Sequence, residues 1–135
     1  MIHIREIDHL VLRIRDIDTM LHFYCEVLGC PIERRNDAIG LIQLRAGRSM
    51  IDLVPVDGKL GCEGGAPPGA EARNLDHLCL RVDPFDATLI SNHLATFGIK
   101  AGEVEARYGA EGIGPSIYIN DPEGNVVELK GAPTA

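Results

Sequence analysis

Polar and apolar residues alternate through Ile7-Asp8-His9-Leu10-Val11-Leu12-Arg13-Ile14. A period of two predicts a strand, with Leu10, Leu12 and Ile14 on one face and His9, Val11 and Arg13 on the other. The period then lengthens. Met20, Leu21, Tyr24, Val27 and Leu28 recur at helical spacing and predict a helix over 18–29, with Asp18 to cap it and Gly29 to end it. Alternating runs at Leu41–Arg45 and Ser49–Val54 predict two strands after the helix. The same succession follows again: a strand through Leu75–Val82, a helix over 86–98 carried by Leu89, Ile90, Leu94 and Phe97, and strands at Ser116–Asn120 and Asn125–Lys130. Asn120-Asp-Pro-Glu-Gly-Asn125 is a turn sequence that joins the last two into a hairpin.

This succession is an internal repeat. Ile7-Asp8-His9-Leu10-Val11-Leu12-Arg13-Ile14 returns as Leu75-Asp76-His77-Leu78-Cys79-Leu80-Arg81-Val82, with five of the eight positions identical and the rest apolar in both copies. The repeats run from about 5 to 56 and from about 73 to 131. Each is small for an independent domain, so the reading is one α+β domain over 1–135 in which each repeat supplies a curved sheet to a shared core. Residues 57–72, rich in Gly, Pro and Ala, read as the linker, or as a loop over a site.

Composition narrows the classes. The 135 residues, 45% hydrophobic and 24% charged, suit a single globular domain and exclude a disordered or collagenous chain. No apolar run approaches the ~20 residues of a membrane span, and MIHIREIDHL has no signal-type hydrophobic region, so a cytoplasmic protein without a membrane partner is expected. A net charge of −7 repels nucleic-acid phosphate, and the 4% aromatic content lacks Trp for base stacking, so no nucleic-acid partner is expected. Cys25, Cys30, Cys62 and Cys79 form no CxxC pair and read as free thiols.

Two coincidences carry the chemistry. His9 and His77 emerge at equivalent positions, on the same relative face of equivalent strands. Asp52 and Glu128 each sit inside an apolar run in the last strand of a repeat, where a carboxylate is costly unless paired or metal-bound. A pseudo-twofold relation would gather His9, Asp52, His77 and Glu128. Such a mixed N/O set suits one divalent Ni, Zn, Co, Mn or Fe ion and leaves positions open for substrate oxygens, an arrangement for Lewis-acid catalysis.

These residues, with Phe23-Tyr24, Val27-Leu28-Gly29, Asp121-Pro122-Glu123-Gly124-Asn125 and Val127-Glu128-Leu129, resemble the vicinal oxygen chelate superfamily. Its members include glyoxalase I, bleomycin- and fosfomycin-resistance proteins, methylmalonyl-CoA epimerase and extradiol dioxygenases. The resemblance implies two βαβββ modules forming a cupped mixed sheet around one metal, in a homodimer that acts on a small molecule. It assigns the metal to His9, Asp52, His77 and Glu128, with Asp where glyoxalase I usually has Glu. The implied activity is a glyoxalase-like lyase or isomerase reaction on a substrate with vicinal oxygens, Glu128 serving as base and Asp52 as the second candidate. Arg13 matches a position that contacts glutathione in glyoxalase I, whereas Val56 stands where those enzymes tend to carry Asn. A two-histidine, one-glutamate iron dioxygenase and a non-catalytic binding or resistance protein are the alternatives.

Beyond this set, Arg107 and Tyr108 open a Gly-rich stretch, 107–115, that reads as a ligand-binding loop or a polar surface loop. Tyr118 shares strand parity with Ser116 and Asn120 and is a candidate to line the cavity. His3, His22 and His93 have no recognisable carboxylate company and read as surface or helix residues.

Overall fold

The alternation in the first repeat becomes strand β1 (His9–Ile14), on which Leu12 and Ile14 are buried. The structure is a computed structural model that describes residues 1–134. After β1 the chain enters helix α1 (Ile17–Leu21), which runs directly into a π-helical stretch at His22–Val27. Strands β2 (Ile32–Asn36), β3 (Leu41–Ala46) and β4 (Ser49–Pro55) complete a βαβββ unit. The sheet order is β1-β4-β3-β2, with β1 parallel to β4 and the other pairs antiparallel. Leu12, Ile42, Leu44, Ile51 and Leu53 bury one sheet face, and Met20, Phe23, Tyr24 and Val27 are the buried helix positions.

Two sequence expectations change here. The helix is capped by Asp16, not Asp18: Asp16 is extended (φ −117°, ψ 108°) and its carboxylate accepts from the Thr19 N–H at 3.0 Å, while Asp18 lies inside the first turn. Gly29, at φ +77°, does close the helix. Strand β2 was not legible at all, because IERRN is polar and almost wholly exposed on a sheet edge.

The second unit repeats the plan with β5 (Leu78–Arg81), α2 (Ala87–Thr96), β6 (Glu105–Gly109), β7 (Gly112–Asn120) and β8 (Val126–Lys130). Its order is β5-β8-β7-β6, again with the first and last strands parallel and adjacent. Asp86 caps α2 through the Leu89 N–H at 3.0 Å, and Gly98 ends it at φ +71°. The expected loop over 107–115 is instead the β6–β7 hairpin. Its connection is Ala110-Glu111, with Gly112 at φ +125° permitting the reversal. The turn before β8 is held by Asp121, whose carboxylate accepts from the Glu123 and Asn125 backbone N–H groups, both at 2.9 Å, and from the Asn125 side chain at 2.8 Å.

The chain divides into two compact units, Met1–Asn74 and one from Leu75 onward. The Gly-rich segment belongs to the first and contains a short 3-10 turn at Gly61–Gly64. All four cysteines are free thiols. Among the described residues, no helix is long and apolar enough to cross a membrane.

Candidate functional site

In the first unit, parallel pairing of β1 with β4 sets Val11 opposite Asp52, and β3 brings Gln43 to the other side of Asp52. Because side chains alternate, His9 lies diagonally beside Asp52 on the face away from the buried leucines. The Nε2 of His9 stands 4.0 Å from Asp52 Oδ2. Its Nδ1 is 2.7 Å from the carboxylate of the preceding residue, Asp8. The Asp8 hydrogen bond, and then the Asp52 charge, raise the His9 pKa. Asp52 is only 3% exposed. Its Oδ2 accepts from the Gln43 amide at 3.2 Å, while its buried Oδ1 has no hydrogen-bond partner.

The second unit repeats this arrangement. Cys79 and Tyr118 flank Glu128 in register, as Val11 and Gln43 flank Asp52. His77, one residue before β5, places Nε2 at 3.3 Å from Glu128 Oε1 and Nδ1 at 2.7 Å from Asp76 Oδ2. Glu128 is 6% exposed. The Tyr118 ring meets the His77 ring edge to face at 5.5 Å, and the Arg107 guanidinium stacks over Tyr118 at 4.3 Å. Partial burial, and next the Glu128 carboxylate, push the Tyr118 phenol up. Burial and the same carboxylate push the Cys79 thiol up to about 11, which removes it as a nucleophile near neutral pH. A cavity of about 280 Å³ opens on this face, lined by His77, Cys79, Glu128, Lys130 and the exposed Tyr108.

The donor chemistry of each pair fits a cation. An imidazole that donates Nδ1–H to a carboxylate presents Nε2 as a lone pair, and in both units that lone pair faces a second, buried carboxylate. Two electron-rich groups so placed repel unless a proton or metal ion lies between them. A carboxylate behind a ligating histidine also fixes its tautomer and raises its basicity. The unpartnered Oδ1 of Asp52 is a further donor in want of a positive charge. Among the described residues, no three His, Cys, Asp or Glu side chains form a metal-holding group. Each unit contains one such pair. Asp8 and Asp76 were missed as site residues, although their identity in both copies of the repeat was on view.

Other expected residues have different employment. All five N–H donors of Arg13 are engaged: two with the Gly61 carbonyl at 3.0 and 2.8 Å, and one each with Gly64, Gly65 and Ala66 at 3.2, 2.7 and 3.0 Å. None is left for a substrate, so Arg13 clamps the Gly-rich segment onto β1. Asn74 bridges the Arg13 backbone, accepting at 3.1 Å and donating at 2.9 Å. Arg107 donates to the Ser116 carbonyl and hydroxyl at 3.0 and 2.8 Å and pairs with Glu105 at 2.9 Å, so it positions Tyr118 within the sheet. His22 does have carboxylate company, pairing with Glu26 at 2.9 Å on an exposed helix face.

A βαβββ unit is used twice, each copy setting a histidine at the start of its first strand beside a carboxylate in its last. The chain belongs to the Glyoxalase/Bleomycin resistance protein/Dioxygenase superfamily, whose sequence profile matches residues 6–129. Members of this superfamily bind small molecules, commonly use a divalent metal and often dimerise. The Salmonella typhimurium protein described as "Virulence protein STM3117" is 34% identical over 127 residues, covering 93% of this chain and 83% of that one. The crystal structure of that virulence protein matches with a TM-score of 0.78 at 31% identity, over 98% of this chain and 100% of the other. An integron cassette protein from the mobile metagenome of V. cholerae matches with a TM-score of 0.77 at 28% identity, over 98% and 99% of the two chains. TnmS3, an antibiotic binding protein from Streptomyces sp. CB03234, shares the fold at 21% identity and a TM-score of 0.71, over 98% and 100%.

Proposed function

We propose that the chain is a metal-dependent, glyoxalase-like lyase or isomerase acting on a small substrate with vicinal oxygens. One divalent transition metal (Ni, Zn, Co, Mn or Fe) is held per site by His9, Asp52, His77 and Glu128. The observation that carries this reading is the duplicated Asp–His–carboxylate arrangement, with one pair in each unit. A four-donor shell needs a pair from a first unit and a pair from a second, and a homodimer accommodates this as two equivalent sites. When bound, the ion supplies Lewis acidity to two substrate oxygens. The protein supplies the rest. Asp8 and Asp76 hold the imidazoles in the Nδ1–H tautomer. Glu128, buried beside Tyr118, is the base for a proton on carbon next to a carbonyl, with Asp52 as the alternative. Tyr118 stays a neutral phenol, and its hydrogen bond to the Glu128 carboxylate helps hold that base in place.

Elemental analysis of untagged protein tests the reading. One transition metal per chain is expected, lost in both His77→Ala and Asp52→Ala. Loss in His77→Ala with retention in Asp52→Ala would move the assignment to a three-ligand, iron-dioxygenase set. No metal after reconstitution would refute an enzyme of either kind. Mixing His9→Ala with Glu128→Ala, each deficient alone, restores an intact site only if the two pairs come from different copies of the chain.

A further inference from the structure

The face of the second sheet that carries Glu128 also carries Lys130, two residues on along β8 and therefore on the same side. Lys130 is 6% exposed, and its Nζ is fully buried with no hydrogen-bond partner. The other cation lining the cavity, Arg81, is already matched by Glu111 at 2.7 Å. An ammonium left alone among buried groups is costly, and the cost is relieved by an anion that can approach it. Room for the lysine is built in by Gly109. A Cβ there would lie 2.7 Å from Lys130 Cε and 3.9 Å from Nζ, so a side chain at 109 would push the end of the lysine aside. Lys130 lines the same 280 Å³ cavity as His77 and Glu128, with its ammonium enclosed behind the cavity wall.

We propose that Lys130 is a specificity residue that binds an anionic group, a carboxylate or a phosphate, on the small molecule that enters this cavity. The inference rests on the proposed function for its view of the cavity as the substrate site, and it narrows the substrate to one carrying a negative charge beside its vicinal oxygens. Arg81 and Arg107 cannot substitute for Lys130, since the first is paired with Glu111 and the second with Glu105 and Ser116. The net charge of −7 makes an anion's attraction to this spot a local property of the cavity rather than of the whole surface.

Inorganic phosphate and acetate are the probes, titrated into full-length protein as purified and again after metal removal, and followed by calorimetry and by amide NMR shifts. Saturable binding of one anion per chain is expected with or without metal, with the Gly109, Ala110 and Glu111 amides among those that move. Lys130→Met should weaken it by about tenfold or more, the loss of one charge-assisted contact. Lys130→Arg should retain part of the affinity, and Gly109→Ala should weaken binding while keeping the lysine. A preference for phosphate or for acetate identifies which anionic group is held. Unchanged affinity in Lys130→Met, no saturable binding of either probe, or binding that vanishes when metal is removed would overturn the proposal. Metal content is measured in the same samples: protein that binds no metal yet binds anion through Lys130 refutes the enzyme reading and sustains the anion site, and the reverse pattern does the opposite.

Discussion

Replacing Arg13 with Met removes all five hydrogen bonds that hold the 61–66 segment to β1 while keeping a side chain of similar length. The two bonds to Gly61 are part-buried and share one carbonyl, so they count together as a single charge-assisted contact of about 1.5–3 kcal/mol. The three bonds to Gly64, Gly65 and Ala66 are exposed and screened, and contribute about 0.5 kcal/mol each. The Asn74 bridge to the Arg13 backbone survives the substitution. The sum is about 3–4.5 kcal/mol, a large part of a typical domain's stability, and corresponds to a fall in Tm of roughly 10–15 °C. Hydrogen exchange localises the effect. The Cys62, Glu63 and Gly65 amides donate within this segment, to Gly58, Leu60 and Cys62, and their protection should fall ahead of the β-sheet amides. Arg13→Lys should recover only part, since an ammonium cannot fork across four carbonyls. The reasoning is refuted if Arg13→Met leaves Tm and these three amides unchanged. A rise in KM without either change would return Arg13 to the substrate-binding role first expected of it.

Asp8→Asn and Asp76→Asn should each weaken metal binding by about 10–100-fold at pH 8, as loss of the group behind a ligating histidine does elsewhere. Competition with a chromophoric chelator measures this, and unchanged affinity in both variants would show that the carboxylates do not orient the imidazoles. Because His9 holds its proton to higher pH than a free imidazole, a metal must displace that proton as the pH falls, so apparent affinity should drop on acidification. Cys79, with its thiol pushed up to about 11, is about one part in a thousand thiolate at pH 8 and should react with a disulfide reagent far more slowly than exposed Cys62. Glu128→Gln should speed that reaction; equal rates for Cys79 and Cys62 in the unaltered protein would contradict the electrostatic account.

What the chain discloses on reading follows from which features repeat. The strands bearing Leu12, Leu53, Leu78 and Leu129 each pack one apolar face, so their period-two pattern is strong, and the Asp-His dipeptide recurs with it. Helix α2 is marked at both ends, by Asp86 and Gly98. Strand β2 is invisible because an exposed edge strand has no apolar face to encode. The β6–β7 hairpin was misread because Gly109, Gly112 and Gly114 look like loop residues, whereas Gly112 turns the chain at a positive φ and Gly114 is required by close approach: a Cβ on Gly114 would come within 2.5 Å of the Ala132 carbonyl oxygen. The histidines and carboxylates of the candidate site were legible because duplication made a coincidence visible. Lys130 has no duplicate. A lysine at the end of a strand reads as solvent-facing, and only the hairpin on which Gly109 sits reveals that its ammonium is enclosed.

In both units the strand bearing the histidine leaves the ribosome first and the strand bearing the carboxylate last, yet the two are neighbours in the sheet. Helix and hairpin can form from local contacts, but this parallel ladder must await the whole unit, and such distant pairings are the slow part of folding. A chain halted before Val126 can possess β6 and β7 and still have no partner for His77. Each histidine–carboxylate pair is therefore assembled only when its unit closes, and an ion that requires both pairs would discriminate finished molecules from unfinished ones, adding its binding energy to the finished state alone.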